Sequence, residues 1–172
     1  MQQEEETKWE GKLSVKLQAS KANQVWPFLE DFYNIHNWLS SIDTCYSVDD
    51  DDTFVKPGSV RYCSSTSTDD SGNQNTSWVK ERLLAIDRDG RSLTYEVVDG
   101  NMGIKGYVTT MKVIEESSDE KDGCKIEWSF EADPIEEWRI EDLVEYVEST
   151  LQGMAEKMDK ALSTQKSSDL EV

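Results

Sequence analysis

The sequence predicts an α+β domain in which a seven-stranded antiparallel sheet wraps one long C-terminal helix, with two short helices after the first strand. Three observations carry that expectation. Segment after segment alternates apolar and polar residues with a period of two, the mark of strands with one dry face. Most of these segments follow one another through short turns rich in Gly, Asp and Ser, as hairpins do. From Ile140 to Ala161 the apolar residues recur instead every three or four positions, a helical stripe. A single helix with one dry stripe needs a surface of matching size, and only the dry face of the sheet supplies one.

The first strand is read from Trp9, Gly11, Leu13, Val15 and Leu17, which alternate with Lys8, Glu10, Lys12, Ser14 and Lys16. Ser20 can cap the helix that follows. Val25, Trp26, Leu29, Phe32, Ile35 and Leu39 then mark two short helices, with Pro27 a distortion or an early helical position. "TCYSV" and "GSVRYCS" form a strand pair around a solvated loop containing Asp49 to Asp52 and Pro57-Gly58. That acidic run lacks the glycine and distal glutamate of an EF-hand loop and reads as a solvated turn.

In "SWVKERLLAID", Trp78, Lys80, Arg82, Leu84 and Ile86 share a wet face, and Val79, Glu81, Leu83 and Ala85 the dry one. Three further strands follow. Their dry faces are Leu93, Tyr95 and Val97; then Tyr107, Thr109, Met111 and Val113; then Cys124, Ile126, Trp128 and Phe130. The final helix is expected to start near Pro134 and to bury Ile140, Val144, Val147, Leu151, Met154, Met158 and Ala161. The organisation is therefore one domain over residues 8–162, with disordered ends at 1–7 and 163–172.

Composition narrows the partners. Lys and Arg number 18 against 36 Asp and Glu, a formal charge of −18, which opposes nucleic acid and anionic membranes. No segment has the length and apolarity of a membrane span, and "MQQEEETKWEG" has neither the basic start nor the apolar run of a secretory signal. Asn75-Thr76-Ser77 is then an idle glycosylation sequon. Cys45, Cys63 and Cys124 have no metal-ligand spacing and fit reduced, buried thiols. With His36 the only histidine, there is little material for a triad or a histidine metal site, and His36 reads as a helix-surface residue. A cytoplasmic monomer without metal or organic cofactor is expected.

Glu81 stands out because an ionised carboxylate on an apolar face needs a cation or a proton. Arg61 is the only cation on the preceding strand; it shares a face with Ser59 and Cys63, but the pattern there does not settle which face is dry. Tyr95 and Tyr107 can bring hydroxyls to the same interior. Two readings of this group stand: a buried ion pair that fixes strand register, with tyrosines filling the core, or a ligand site.

The order of elements resembles the helix-grip fold of the major birch-pollen allergen, the START-like lipid carriers and the polyketide cyclase/dehydrase group. "KWEGKLSV", "VWPFLEDFYNIH", "GSVRY", "WVKERLLAID", "GYVTTMKVIE" and "IEWSFE" resemble, more closely, the lachrymatory-factor synthases of onion relatives and their plant homologues, over Lys8 to Met158. The resemblance implies catalytic roles for Arg61 and Glu81 and contacts from Tyr95 and Tyr107 to the reactive oxygen. It implies a cofactor-free isomerase that turns an alkenyl sulfenic acid into a thial S-oxide, with Leu83, Trp128 and Met154 excluding water around a small hydrophobic molecule. Ile104 stands where a tyrosine is usual in that family, a changed mouth to the site.

The alternative is a non-catalytic carrier or receptor of a small hydrophobic metabolite or lipid. "ERLLAIDRDGRSLTYEVVDGN" is similar to part of the plant abscisic acid receptors. Their Ser-Gly-Leu-Pro-Ala gate and His-Arg-Leu latch are both absent, and no lysine lies between Asn37 and Phe54 to meet a hormone carboxylate.

Overall fold

The alternating segments pair into one antiparallel seven-stranded sheet of order β1-β7-β6-β5-β4-β3-β2. The computed structural model describes residues 7–49, 54–119 and 121–170. Most of the acidic run, the first six residues and the last two lie outside it, so the turn and the disordered N-terminus expected there do too. The strands are β1 (Trp9–Leu17), β2 (Thr44–Ser47), β3 (Val60–Thr68), β4 (Gln74–Asp87), β5 (Ser92–Gly100), β6 (Val108–Glu115) and β7 (Cys124–Ala132). Between β1 and β2 come helix α1 (Ala22–Glu30) and a 3₁₀ helix (Phe32–Asn37); helix α2 (Ile140–Leu170) ends the chain.

The dry faces read from the sequence form one core. Leu17, Leu83, Leu93, Tyr95, Met111, Ile126, Trp128 and Phe130 are buried, as are Val147, Leu151, Met154 and Met158 of α2. α2 packs on β1 and β7, at one end of the sheet; the 3₁₀ helix packs on β2 and β3, at the other, and α1 reaches β6. The cover is thus divided, and the 3₁₀ helix roofs the end of the sheet that carries Arg61. All six apolar residues of the stripe on the two short helices, from Val25 to Leu39, are buried.

Several local expectations are corrected. α2 starts at Ile140, not near Pro134: residues 133–139 turn first, with Glu137 at a φ of 71° and the Trp138 N–H donating to the Ile135 carbonyl. Asp142 then accepts from the Arg139 N–H at 2.8 Å, as a first-turn carboxylate does. The tail read as frayed from residue 163 carries helical backbone to Leu170. The apolar stripe ends at Ala161, one residue before the last buried side chain, Leu162, while the helix itself runs on.

Ser20 does not cap α1. Its hydroxyl donates to Asp159 on α2 at 2.7 Å, while Glu115 from β6 accepts the Ala22 N–H at 3.0 Å. Pro27 sits inside α1, where it lacks the N–H that would bond back one turn. His36 is half-buried on the 3₁₀ helix and not a surface residue.

Ala85 was placed on the dry face of β4 and Ile86 on the wet one; the reverse holds. Leu83 pairs with Tyr95 and Ala85 with Thr94, so Leu84 is an extra, unpaired residue on β4. Such a bulge inverts the alternation beyond it. Ile86 therefore turns inward opposite Leu93, and Ala85 is exposed.

Gly11 is required by a close approach. On β1 it faces Phe130 of β7 across the pair, and a Cβ there would lie 2.5 Å from the ring. Gly11→Ala is expected to lower stability by about 1–3 kcal/mol through overpacking. Phe130→Leu in the same chain should recover part of that loss, which urea unfolding of the three variants measures.

Candidate functional site

β3 and β4 pair in a register that sets Arg61 directly opposite Glu81. Both side chains point inward, 3% and 11% exposed, which settles the face of "GSVRY" that the sequence left open. Arg61 Nε donates to Glu81 Oε1 at 2.9 Å, and Nη1 donates to the Phe32 carbonyl at 2.9 Å. The guanidinium also rests against two rings, 4.1 Å from the centre of Phe32 and 4.6 Å from that of Tyr95. The 3₁₀ helix thus supplies both an acceptor and an aromatic face to a cation on the sheet beneath it. Burial opposes the charge on Arg61, but the adjacent Glu81 carboxylate, together with Cys63, Tyr95 and Cys45, outweighs it and holds the guanidinium above its ordinary pKa.

Glu81 has a second neighbour. Cys63, two residues along β3 from Arg61, approaches the same carboxylate oxygen at 3.8 Å. Both contacts converge on Oε1, and among the described residues no hydrogen bond reaches Oε2. Cys63 in turn lies 3.5 Å, sulfur to sulfur, from Cys45 on β2. The contact with Cys45, and then burial, pushes the Cys63 thiol up; the same contact lowers Cys45.

The polar residues continue across the inner face. Tyr95 on β5 stands opposite Leu83 on one side and Thr109 on the other. Burial first, and then the Glu81 carboxylate, drive the Tyr95 phenol well above its usual range. Burial also raises Tyr107, while Thr109 and Trp128 act in the opposite sense on its hydroxyl. Neither of those two, however, closes a hydrogen bond of normal geometry: Thr109 Oγ1 and Trp128 Nε1 are buried without a partner. Orphaned polar atoms in an interior are rare and mark places where water or a ligand oxygen is held.

Of the residues expected at the site, Arg61, Glu81 and Tyr95 are joined by direct contacts, with Leu83 beside Tyr95 in the ladder. Tyr107 and Trp128 lie farther along the same face. Met154 is fully buried on α2. Phe32, Cys63 and Thr109 were not singled out. Thr109 carried the signal that exposed Glu81, a polar residue on an apolar alternation; Phe32 was hidden in an ordinary helical stripe.

Arg61, Glu81, Tyr95 and Tyr107 are all buried. An open recess of about 500 Å³ lies instead on the outer face of β1, β6 and β7, lined by Glu10, Lys12, Thr110 and Ser129 among others. A second, of about 370 Å³, lies by Pro27, Phe54 and Arg88. Neither includes Arg61, Glu81, Tyr95 or Tyr107.

A helix held on the inner face of an antiparallel sheet, with polar groups facing inward, defines the START-like class of hydrophobic-ligand proteins. The chain belongs to the polyketide cyclase/dehydrase and lipid transport family, which it matches over residues 11–163. Membership implies binding of small hydrophobic ligands. Its fold is similar to that of three bacterial proteins. XoxI from Bacillus cereus is 19% identical with a TM-score of 0.64, covering 88% of this chain and 94% of that one. An uncharacterised protein from Bacillus thuringiensis is 20% identical with a TM-score of 0.63, covering 87% and 98%. A Thermobifida fusca protein is 21% identical with a TM-score of 0.66, covering 88% and 93%. These identities speak for the fold alone. Among the described residues no helix is long and apolar enough to cross a membrane.

Two measurements check the site. Arg61→Leu leaves a buried carboxylate without its cation and is expected to cost roughly 3–5 kcal/mol. Adding Glu81→Leu should cost less than the sum of the single changes, and a double-mutant cycle in urea reads the coupling. The raised phenols give a pH dependence. Unfolded tyrosines ionise near about pH 10, whereas Tyr95 and Tyr107 remain protonated in the folded chain. The folded state then holds more protons, so stability is full below that pH and falls as pH rises above it. Absorbance titration should show these two phenols ionising late, together with alkaline unfolding.

Proposed function

We propose that this protein is an isomerase of the lachrymatory-factor synthase type, moving a proton within a small hydrophobic molecule held beside Arg61 and Glu81. The observation that supports this reading most is the buried pair itself: a carboxylate fixed through Oε1 by Arg61 and Cys63, with Oε2 left for a proton. The family resemblance of "GSVRY" and "WVKERL" falls on the same two residues.

In this scheme the hydroxyl of an alkenyl sulfenic acid gives its proton to Glu81, and Arg61 stabilises the sulfenate oxygen through Nη2. Nε and Nη1 are engaged with Glu81 and Phe32, so Nη2 is the guanidinium nitrogen that remains. Glu81 then returns the proton to the alkene carbon. The carbon–carbon π electrons form the new C–H bond as a carbon–sulfur double bond develops, giving the thial S-oxide. Tyr95 and Tyr107 orient the oxygen as neutral donors, a role their raised pKa values favour. Leu83 and Trp128 keep water from the reacting atoms.

The same buried pair, set directly opposite in the β3–β4 ladder, also supports a second reading, a non-catalytic carrier of a small hydrophobic metabolite or lipid in which Arg61 and Glu81 set register and polarity. A relay needs a carboxylate that both takes and releases a proton; a carrier does not. Glu81→Gln should therefore abolish turnover while changing ligand affinity by no more than about tenfold, ~1.4 kcal/mol. The assay is thial S-oxide formation from alkenyl sulfenic acid generated by alliinase, with wild type, Glu81→Gln and Arg61→Leu in parallel and folding checked by circular dichroism. Product above the no-protein control, lost in both folded variants, is the expected result. Wild type equal to the control would remove the isomerase reading for this substrate.

A further inference from the structure

Cys45 and Cys63 stand directly opposite each other on β2 and β3, with their sulfurs 3.5 Å apart. The phase of the ladder matters. The Val48 N–H donates to the Val60 carbonyl at 3.0 Å, so that pair is hydrogen-bonded, and so is every second pair along the strands. Cys45 and Cys63 fall on the intervening, non-hydrogen-bonded position, where opposite Cα atoms are about 4.5 Å apart and side chains come closest. That separation lies within the range a disulfide spans. Cys124 is excluded as a partner, because β7 is separated from β3 by β6, β5 and β4.

Access is unequal. Cys45 is half-buried on the edge strand, whereas Cys63 is 2% exposed beneath it. A small oxidant meets Cys45 first and finds Cys63 already in contact with it. We propose that Cys45 and Cys63 form a peroxide-reactive dithiol that closes to an intramolecular disulfide beside the Arg61–Glu81 pair.

The Cys45 thiol gives up its proton and its sulfur attacks one oxygen of hydrogen peroxide; the O–O bond breaks, the leaving hydroxide takes up a proton, and Cys45 sulfenic acid and one water result. The Cys63 sulfur, losing its proton, then attacks the Cys45 sulfur. The S–S bond forms as the S–O bond breaks, and a second water leaves. Two thiols lose two electrons and one peroxide gains them. The lowered Cys45 thiol suits the attacking role, and the raised Cys63 thiol the resolving one. Closure also removes the Cys63 S–H from Glu81, whose Oε1 is then held by Arg61 alone. The proposal does not depend on which ligand the site takes.

Reduced protein treated with hydrogen peroxide is analysed by intact mass and by peptide mapping without reductant. The expected product weighs two hydrogens less, yields a Cys45–Cys63 linked peptide, and reverts with dithiothreitol. Cys124→Ser should behave identically, and Cys45→Ser should yield no linked peptide. Oxygen addition without a linked peptide, a disulfide that includes Cys124, or a disulfide between two chains would each overturn the proposal. The wild-type map decides this even if a cysteine variant folds poorly.

Discussion

Placing Arg61 and Glu81 together on an otherwise apolar face costs desolvation of two charges, and only close pairing makes that tolerable. Their opposition in the ladder supplies the geometry, and the roof above them completes it, since the Phe32 carbonyl and ring satisfy the part of the guanidinium that Glu81 does not reach. The register of β3 on β4 and the seat of the 3₁₀ helix are therefore coupled. A slip of one residue between the strands would turn the charge on the displaced strand to the outer face and leave the other buried without its partner.

The division of the roof gives the two ends of the sheet different characters. Under α2 the core is made of Val147, Leu151, Met154 and Met158 packed on β1 and β7, a surface stabilised by apolar burial alone. Under the 3₁₀ helix it is polar, with Arg61, Glu81 and the paired thiols. Tyr95, Tyr107, Thr109 and Trp128 span the distance between them, so that each strand from β3 to β7 carries a polar group on or next to its inward face. A hydrophobic ligand with one reactive oxygen matches such a gradient, apolar at one end and hydrogen-bonding at the other.

The fold is shared with bacterial proteins that have about a fifth of their residues in common with this one. What such chains must share is the alternation of apolar and polar positions, which many sequences satisfy. Function depends on the few inward positions that break the alternation, and these are free to differ among proteins of one architecture. The Arg61–Glu81 pair breaks the alternation in this way, and the function proposed above rests on it.

Alternation of side chains is a local consequence of strand geometry, so the seven strands, the dry faces of most of them and the anomaly at Glu81 were legible in the order of residues alone. The helical stripe was legible for the same reason, although Leu143, Ala155 and Leu162 are buried beside it. Ala85 and Ile86 were misplaced because a bulge at Leu84 is set by the pairing of β4 with β5, which no local pattern records. Ser20 looked like a cap, yet bonds Asp159 across the molecule, and the cap of α1 comes from Glu115. Likewise, the sequence named Arg61 and Glu81 as partners through the demand of a buried charge for its opposite. Phe32 above them, and Cys45 against Cys63, became neighbours only through strand register and helix packing, because contacts between residues distant along the chain depend on how whole elements meet.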